Sequence, residues 1–262
     1  MPSALVTGAN GVFGFHIVAG LLSRGWLVFA HTRNDASFEA LKARLATLGV
    51  PTSLARAACA DLSLPSSIAA LAASLPPALD VLINNAAITP PARAVSAEGA
   101  ELQWAVNVLG YHRLTRAALP RLLAAPAPRV IFVASFYAGG LDLADPEFVA
   151  RAYDADSAYK ASKQANRMLA AAWAEREPRA RFSSCHPGVA TSAVSLGLGF
   201  DLDRSPAAAK AGAETPLFLA TSDAVAAAPS GAFWGDCKPK KCAFSADRGA
   251  VAALWAAVEA RG

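Results

Sequence analysis

Six short, almost wholly apolar runs alternate along this chain with segments rich in Ala and Leu, and that alternation constrains its fold more than any other feature. The apolar runs are Ala4–Thr7, Trp26–Ala30, Leu54–Ala60, Val81–Asn84, Val130–Ala134 and Phe182–Cys185. A strand exposed to water on one face alternates polar with apolar residues, so runs that are apolar throughout must be covered on both faces. The segments between them, Phe15–Ser23, Phe38–Leu48, Ser67–Ser74, Glu98–Ala124 and Ala158–Glu175, have helical spacing. Strands separated by helices imply a parallel sheet reached through right-handed crossovers, an α/β doubly wound sheet of the Rossmann kind. Turn residues fall where each helix must hand over to a strand, as in Ser23-Arg24-Gly25, Leu48-Gly49 and Leu75-Pro76-Pro77. The sequence has no repeat or long linker, and 262 residues form a normal length for one α/β unit, so residues 1–262 are read as a single domain.

The hydrophobic fraction of 54% is dominated by alanine, and no unbroken apolar run reaches the roughly 18 residues of a membrane span. The first residues carry no basic n-region, and a glycine motif begins at Thr7, so no secretory signal is read. The expected location is cytoplasmic, or an organelle stroma if a transit peptide has been removed. A net charge of +4 comes from scattered Lys and Arg, which argues against a nucleic-acid partner; Lys238, Lys240 and Lys241 are read as a solvated turn. Cys59, Cys185, Cys237 and Cys242 lack paired spacing and are read as buried thiols of a reducing compartment. His16, His31, His112 and His186 show no metal-ligand spacing, and no metal is expected.

The first strand runs into Thr7-Gly8-Ala9-Asn10-Gly11-Val12-Phe13-Gly14 and then into a helix. Glycines stand where the backbone must turn tightly, and the helix start beyond them offers free N–H groups and positive dipole to a pyrophosphate, so a dinucleotide is the natural guest. The second strand ends in His31-Thr32-Arg33-Asn34, where an NAD enzyme places an acid for the ribose hydroxyls. Arg33 instead suits a 2′-phosphate, which favours NADP(H). Further along, Tyr159 and Lys163 are one helical turn apart and can address the same bound molecule. A nearby ammonium favours phenolate and brings a tyrosine toward the range useful for proton transfer.

The order of these motifs resembles the short-chain dehydrogenase/reductase family over essentially the whole chain, in the branch near retinol dehydrogenases and the WW-domain oxidoreductase. Thr7–Gly14 is similar to the family's cofactor loop, Asp61-Leu62 to its adenine-contacting pair, and Asn84-Asn85-Ala86-Ala87 to its NNAG segment. Asn107 resembles the tetrad asparagine, Ser135 the serine ending strand five, SAYKASKQAN the tyrosine and lysine motif, and His186-Pro187-Gly188-Val189 the segment covering the nicotinamide. The resemblance implies hydride exchange between NADP(H) and a carbonyl or alcohol carbon. Tyr159 would move the proton, Ser135 would orient the substrate oxygen, Lys163 would hold the nicotinamide ribose, and Asn107 would hold a water linking Lys163 to solvent. It further implies cofactor contacts from Gly8, Asn10, Gly11, Phe13, Gly14, Arg33, Asn34, Asp61, Leu62, Asn85, Ala86, Ala87, Pro187, Gly188, Val189 and Thr191.

Three positions depart from the family pattern. Gly8, Gly11 and Gly14 have the spacing of the longer, epimerase-like branch, with Val12 at a glycine position; only 74 residues (262 − 188) follow Gly188, too few for that branch's substrate domain. Ala87 replaces the last glycine of NNAG, and either Thr191 or Ser192 could contact the nicotinamide. Tyr159 follows Ser135 by 24 positions (159 − 135), and the insertion Gly139–Asp156 is expected to shape the substrate mouth, with Phe136, Tyr137, Leu141 and Tyr153 either an apolar wall or packing for a flap. Thr191–Pro206 is expected to form a lid. The expected activity is a carbonyl reductase or alcohol dehydrogenase acting on a small to medium apolar substrate. The alternatives are a non-catalytic NADP(H) sensor and an epimerase or dehydratase. A homodimer through the helices carrying Asn107 and Tyr159 is also implied.

Overall fold

The computed structural model describes residues 1–261. Its strands are β1 (Ser3–Val6), β2 (Leu27–Thr32), β3 (Ala55–Cys59), β4 (Val81–Asn84), β5 (Arg129–Val133), β6 (Arg181–Cys185), β7 (Phe233–Gly235) and β8 (Lys238–Lys240), in the order β3-β2-β1-β4-β5-β6-β7-β8. β1 to β7 are parallel, as the apolar runs require. The end strand β8 instead returns antiparallel on β7 through a tight turn in which Asp236 and Cys237 both have positive φ. The doubly wound parallel sheet thus stands with one antiparallel edge strand added, and the lysines read as a turn lie on and just beyond that strand.

Strand residues sort by parity. Leu5, Leu82, Phe132 and Phe182 enter one core, while Ala4, Val6, Val81, Ile83, Ile131 and Val133 enter the other. The first core is covered by α3 (Pro65–Ser74), the helical stretch comprising α4 (Leu102–Trp104), a π segment (Ala105–Leu109) and α5 (Gly110–Leu122), and α6 (Ala155–Arg176). The second is covered by α1 (Val12–Leu22) and α2 (Asp35–Thr47), joined after β6 by α7 (Ala193–Gly197), α8 (Pro206–Ala211) and α9 (Glu214–Thr221), of which α9 reaches the core. Crossovers change face between β1 and β4, and the crevice at the carboxyl ends of these strands is where such a sheet binds ligands.

The helix expected over Glu98–Ala124 begins later, at Leu102. Glu101 caps it, accepting from the Gln103 and Trp104 amides, and Val95 bridges to Glu101 instead of continuing a helix. At the other end, α10 (Ala243–Ala246) and α11 (Arg248–Glu259) lie against α6. Val251, Leu254 and Val258 of α11 are fully buried, and Trp255 stands edge-on to Trp173 at 5.0 Å. The chain's own α11 thus packs on α6, one of the helices through which a homodimer was expected. Among the described residues no helix is long and apolar enough to cross a membrane, and no His, Cys, Asp and Glu group could hold a metal ion.

Candidate active site

The phosphate loop is folded by steric necessity. Gly8 has φ +65°, and a Cβ at Gly14 would lie 2.1 Å from the Gly8 carbonyl oxygen, so only glycine lets the first turn of α1 pass beneath the loop. Helix geometry leaves the Val12, Phe13 and Gly14 N–H groups without intrahelical partners. Asn85 ties the loop to the end of β4: its side-chain amide donates to the Thr7 carbonyl at 2.8 Å, and the Asn85 and Ala86 N–H groups donate to the Thr7 hydroxyl. Ala86 packs directly under Gly8. These residues fit a dinucleotide pyrophosphate, as the motif predicts.

Around the adenosine end, Arg33 is exposed and makes no ion pair or hydrogen bond among the described residues. Asn34, expected to meet the cofactor, has its side-chain oxygen committed to capping α2 through the Ser37 N–H at 2.9 Å. Asp35 accepts from the Cys59 thiol at 3.3 Å. Asp61 directs one carboxylate oxygen to the Ser63 N–H and hydroxyl, at 2.8 and 2.7 Å, while Leu62 is buried beside it. Of the four cysteines, all free, only Cys185 is fully buried, so the reading of four buried thiols holds for one.

Ser135, just past β5, lies beside Tyr159, in the second turn of α6, and its hydroxyl accepts from the Tyr137 N–H at 3.0 Å. Burial pushes the Tyr159 phenol up to about 12, with the neighbouring Ser135 hydroxyl acting in the opposite direction. Lys163, only 2% exposed, sends its Nζ to the Val133 carbonyl at 2.9 Å, with the Tyr159 ring centre 5.6 Å away and the Tyr111 ring centre 5.5 Å away. Burial drives its ammonium down to about 7. Asn107 lies in the π segment, where one extra residue in the turn aims it at the loop after β4. Its Oδ1 accepts from the Ile88 N–H and its Nδ2 donates to the Ile88 carbonyl, both at 3.0 Å. The side chain expected to hold a water is thus engaged by a peptide group.

The segments framing this centre differ in part from expectation. Tyr137 stands edge-on to Phe200 of the Thr191–Pro206 segment at 5.7 Å and donates to Asp156 at 2.6 Å. Phe136, Tyr137 and Phe200 form an exposed apolar rim. Leu141, however, packs against the core, and the Tyr153 hydroxyl bonds Gln103 and the Pro90 carbonyl, so these two belong to packing rather than to a wall. Gly188 has φ +136°, and Pro187, Gly188 and Val189 line a cavity of about 260 Å³. Neither nicotinamide candidate has an idle hydroxyl: Thr191 bonds Asp201 and the Leu202 N–H, and Ser192 caps α7. Two further side chains hold this centre: Arg167, which is buried and escaped the sequence reading, and the half-buried His186. Arg167 donates from Nε to the Ser135 carbonyl at 3.1 Å while covering the Phe233 ring at 3.8 Å. His186 Nδ1 accepts from the Phe136 N–H at 3.1 Å. The available signal for Arg167 is its spacing, one turn beyond Lys163 and two beyond Tyr159.

The short chain dehydrogenase family model matches residues 2–197. Dehydrogenase/reductase SDR family member 12 from Bos taurus is 38% identical over 170 residues, covering 62% of this chain and 53% of that protein, so the matched part is about half of the relative's length. Human retinol dehydrogenase 14 is 28% identical over 284 residues, covering 97% of this chain and 84% of that protein. Among solved structures, an uncharacterised protein from Mycobacterium paratuberculosis superposes with a TM-score of 0.81 at 28% identity, covering 99% of this chain and 92% of that one. The NADPH-bound carbonyl reductase from chicken fatty liver gives a TM-score of 0.65 at 25% identity, with 89% and 95% covered.

Proposed function

This chain belongs to the short-chain dehydrogenase family, in its retinol-dehydrogenase-like branch, and on that premise we propose that it is an NADP(H)-dependent enzyme interconverting a carbonyl and an alcohol. The observation that carries the reading is the convergence of Ser135, Tyr159 and Lys163 at the carboxyl ends of β5 and β6, beside a loop shaped for a pyrophosphate. The nicotinamide, when bound, supplies or receives the hydride. Tyr159 gives or takes the proton of the reacting oxygen. The Ser135 hydroxyl, beside Tyr159, orients that oxygen where charge develops. Lys163 exchanges its Val133 carbonyl for ribose hydroxyls and, once ionised, draws the Tyr159 phenol down from about 12. Asn107 fixes the loop after β4 through the Ile88 peptide.

The unpaired Arg33 supports the preference for a 2′-phosphate, and the rim of Phe136, Tyr137 and Phe200 supports a small apolar substrate. A panel of aldehydes, ketones and quinones, screened for NADPH oxidation, tests the activity. On a responsive substrate, Tyr159→Phe is expected to lower turnover by roughly 10²–10⁴ with NADPH affinity kept, and Tyr137→Phe to leave turnover nearly normal. Collapse in Tyr137→Phe with turnover retained in Tyr159→Phe would overturn the assignment.

A further inference from the structure

We propose that His31 is a positioning residue of the dinucleotide cradle, its imidazole locking the phosphate loop to the adenine-side loop so that the adenosine half of the cofactor meets two loops already in register. This rests on the dinucleotide reading above. Along β2, Val28 and Ala30 enter one core while Phe29 and His31 face the other side of the sheet, which brings the imidazole between the ends of β1 and β3. The residue is 5% exposed, yet both ring nitrogens are partnered: the Gly8 N–H meets Nδ1 at 3.1 Å, and Nε2 meets the Ala60 carbonyl at 3.1 Å. The backbone carbonyl of His31 also accepts from the Ala9 N–H at 2.9 Å. One residue thus holds two consecutive amides of the phosphate loop and the carbonyl that immediately precedes Asp61-Leu62.

The partners dictate the tautomer. Gly8 is a donor and needs a lone pair at Nδ1, so the proton sits on Nε2, where the Ala60 carbonyl accepts it. Burial keeps the ring neutral by lowering its pKa to about 4, against the raising influence of the Ala60 carbonyl and the Asp61 carboxylate. Gly8 and Ala9 are therefore turned inward, while Val12, Phe13 and Gly14 at the start of α1 remain to face an anion. Removing the imidazole would leave a buried N–H and a buried C=O without partners, which the two loops can relieve only by drifting from the positions that suit adenosine.

The test is the affinity of native protein, His31→Phe and His31→Gln for NADPH, for 2′,5′-ADP as the adenosine half, and for reduced nicotinamide mononucleotide as the other half. His31→Phe is expected to weaken NADPH and 2′,5′-ADP by the same factor, about tenfold or more, with the mononucleotide changed less than about twofold. His31→Gln, which retains one acceptor and one donor, is expected to recover affinity to within about threefold of native. Should His31→Phe fail to fold, His31→Asn, which keeps only an acceptor for Gly8, carries the same test with an intermediate loss. Equal loss of both halves, or unchanged 2′,5′-ADP affinity, would overturn the proposal. Native protein that binds neither NADPH nor NADH would instead refute the functional reading, a distinct result.

Discussion

Lys163→Met should make the protein more stable at pH 7 while abolishing its turnover. In the native chain the Lys163 ammonium is driven from its ordinary 10.5 down to about 7 by burial, and Val133 supplies its single hydrogen-bond acceptor. The difference of about 3.5 pH units, at roughly 1.4 kcal/mol each, corresponds to about 5 kcal/mol at the acid limit and about 4 kcal/mol at pH 7. Methionine has similar length and carries no charge to desolvate, but it leaves the Val133 carbonyl unpaired, which costs about 2 kcal/mol. The net gain is about 2 kcal/mol, equivalent to a rise in thermal midpoint of roughly 4–8 °C for a chain of this size. The sign with pH is fixed by proton counts. Between pH 7 and 10.5 the unfolded lysine binds more protons than the native one, so native stability rises with pH across that window and the Met variant lacks this increment. Calorimetric or fluorescence melts of both proteins from pH 7 to 10 measure the gap, which should close and reverse as pH rises. Parallel melting profiles, or a variant less stable at pH 7, would refute the reasoning.

Gly14→Ala should abolish NADPH binding, because the new methyl would meet the Gly8 carbonyl at 2.1 Å and push the loop away; titration calorimetry with retained folding checks this. Arg33→Asp should shift preference from NADPH toward NADH, against at least about a tenfold preference for NADPH in the native protein, roughly 1.4 kcal/mol; equal affinities in the native protein would contradict it. Leu254→Ala, on the fully buried face of α11, should cost about 2–5 kcal/mol in denaturant unfolding, and a loss below about 1 kcal/mol would mean that α11 is loosely attached.

The interior strands were legible because each must be apolar on both faces, and a run such as Val81–Asn84 has no other comfortable place in water. The sheet's far end was not. Phe233-Trp234-Gly235 and Lys238-Pro239-Lys240 are three-residue strands, too short to show periodicity, and their pairing depends on a two-residue turn at Asp236 and Cys237 with no glycine to announce it. Of the catalytic residues, only the one-turn spacing of Tyr159 and Lys163 was readable from the residues themselves, Ser135 and Asn107 coming from the family resemblance, and the structure brings Ser135, Tyr159 and Lys163 together. What surrounds them was not readable: the π segment around Asn107 is an irregularity in hydrogen bonding, and composition carries no trace of it. The roles of His31 and Arg167 were missed for a shared reason: the partners of each are backbone atoms distant in sequence, Gly8 and Ala60 for one and Ser135 for the other.

The β8 edge bears on how the protein behaves when crowded. A sheet that ended at β7 would present unpaired amides and carbonyls beside Phe233 and Trp234 to any extended chain that came near, an invitation to intermolecular strand addition. β8 covers that side with Lys238-Pro239-Lys240, whose middle residue offers no N–H and whose exposed Lys238 ammonium opposes a second copy of the same edge, Lys240 being paired with Asp236 at 3.1 Å. The opposite rim is β3, whose outermost residues include the exposed Arg56. Both ends of the sheet thus display cations to an approaching copy, so edge-to-edge aggregation is opposed by like charge, and raising ionic strength should weaken that protection before it affects the folded state.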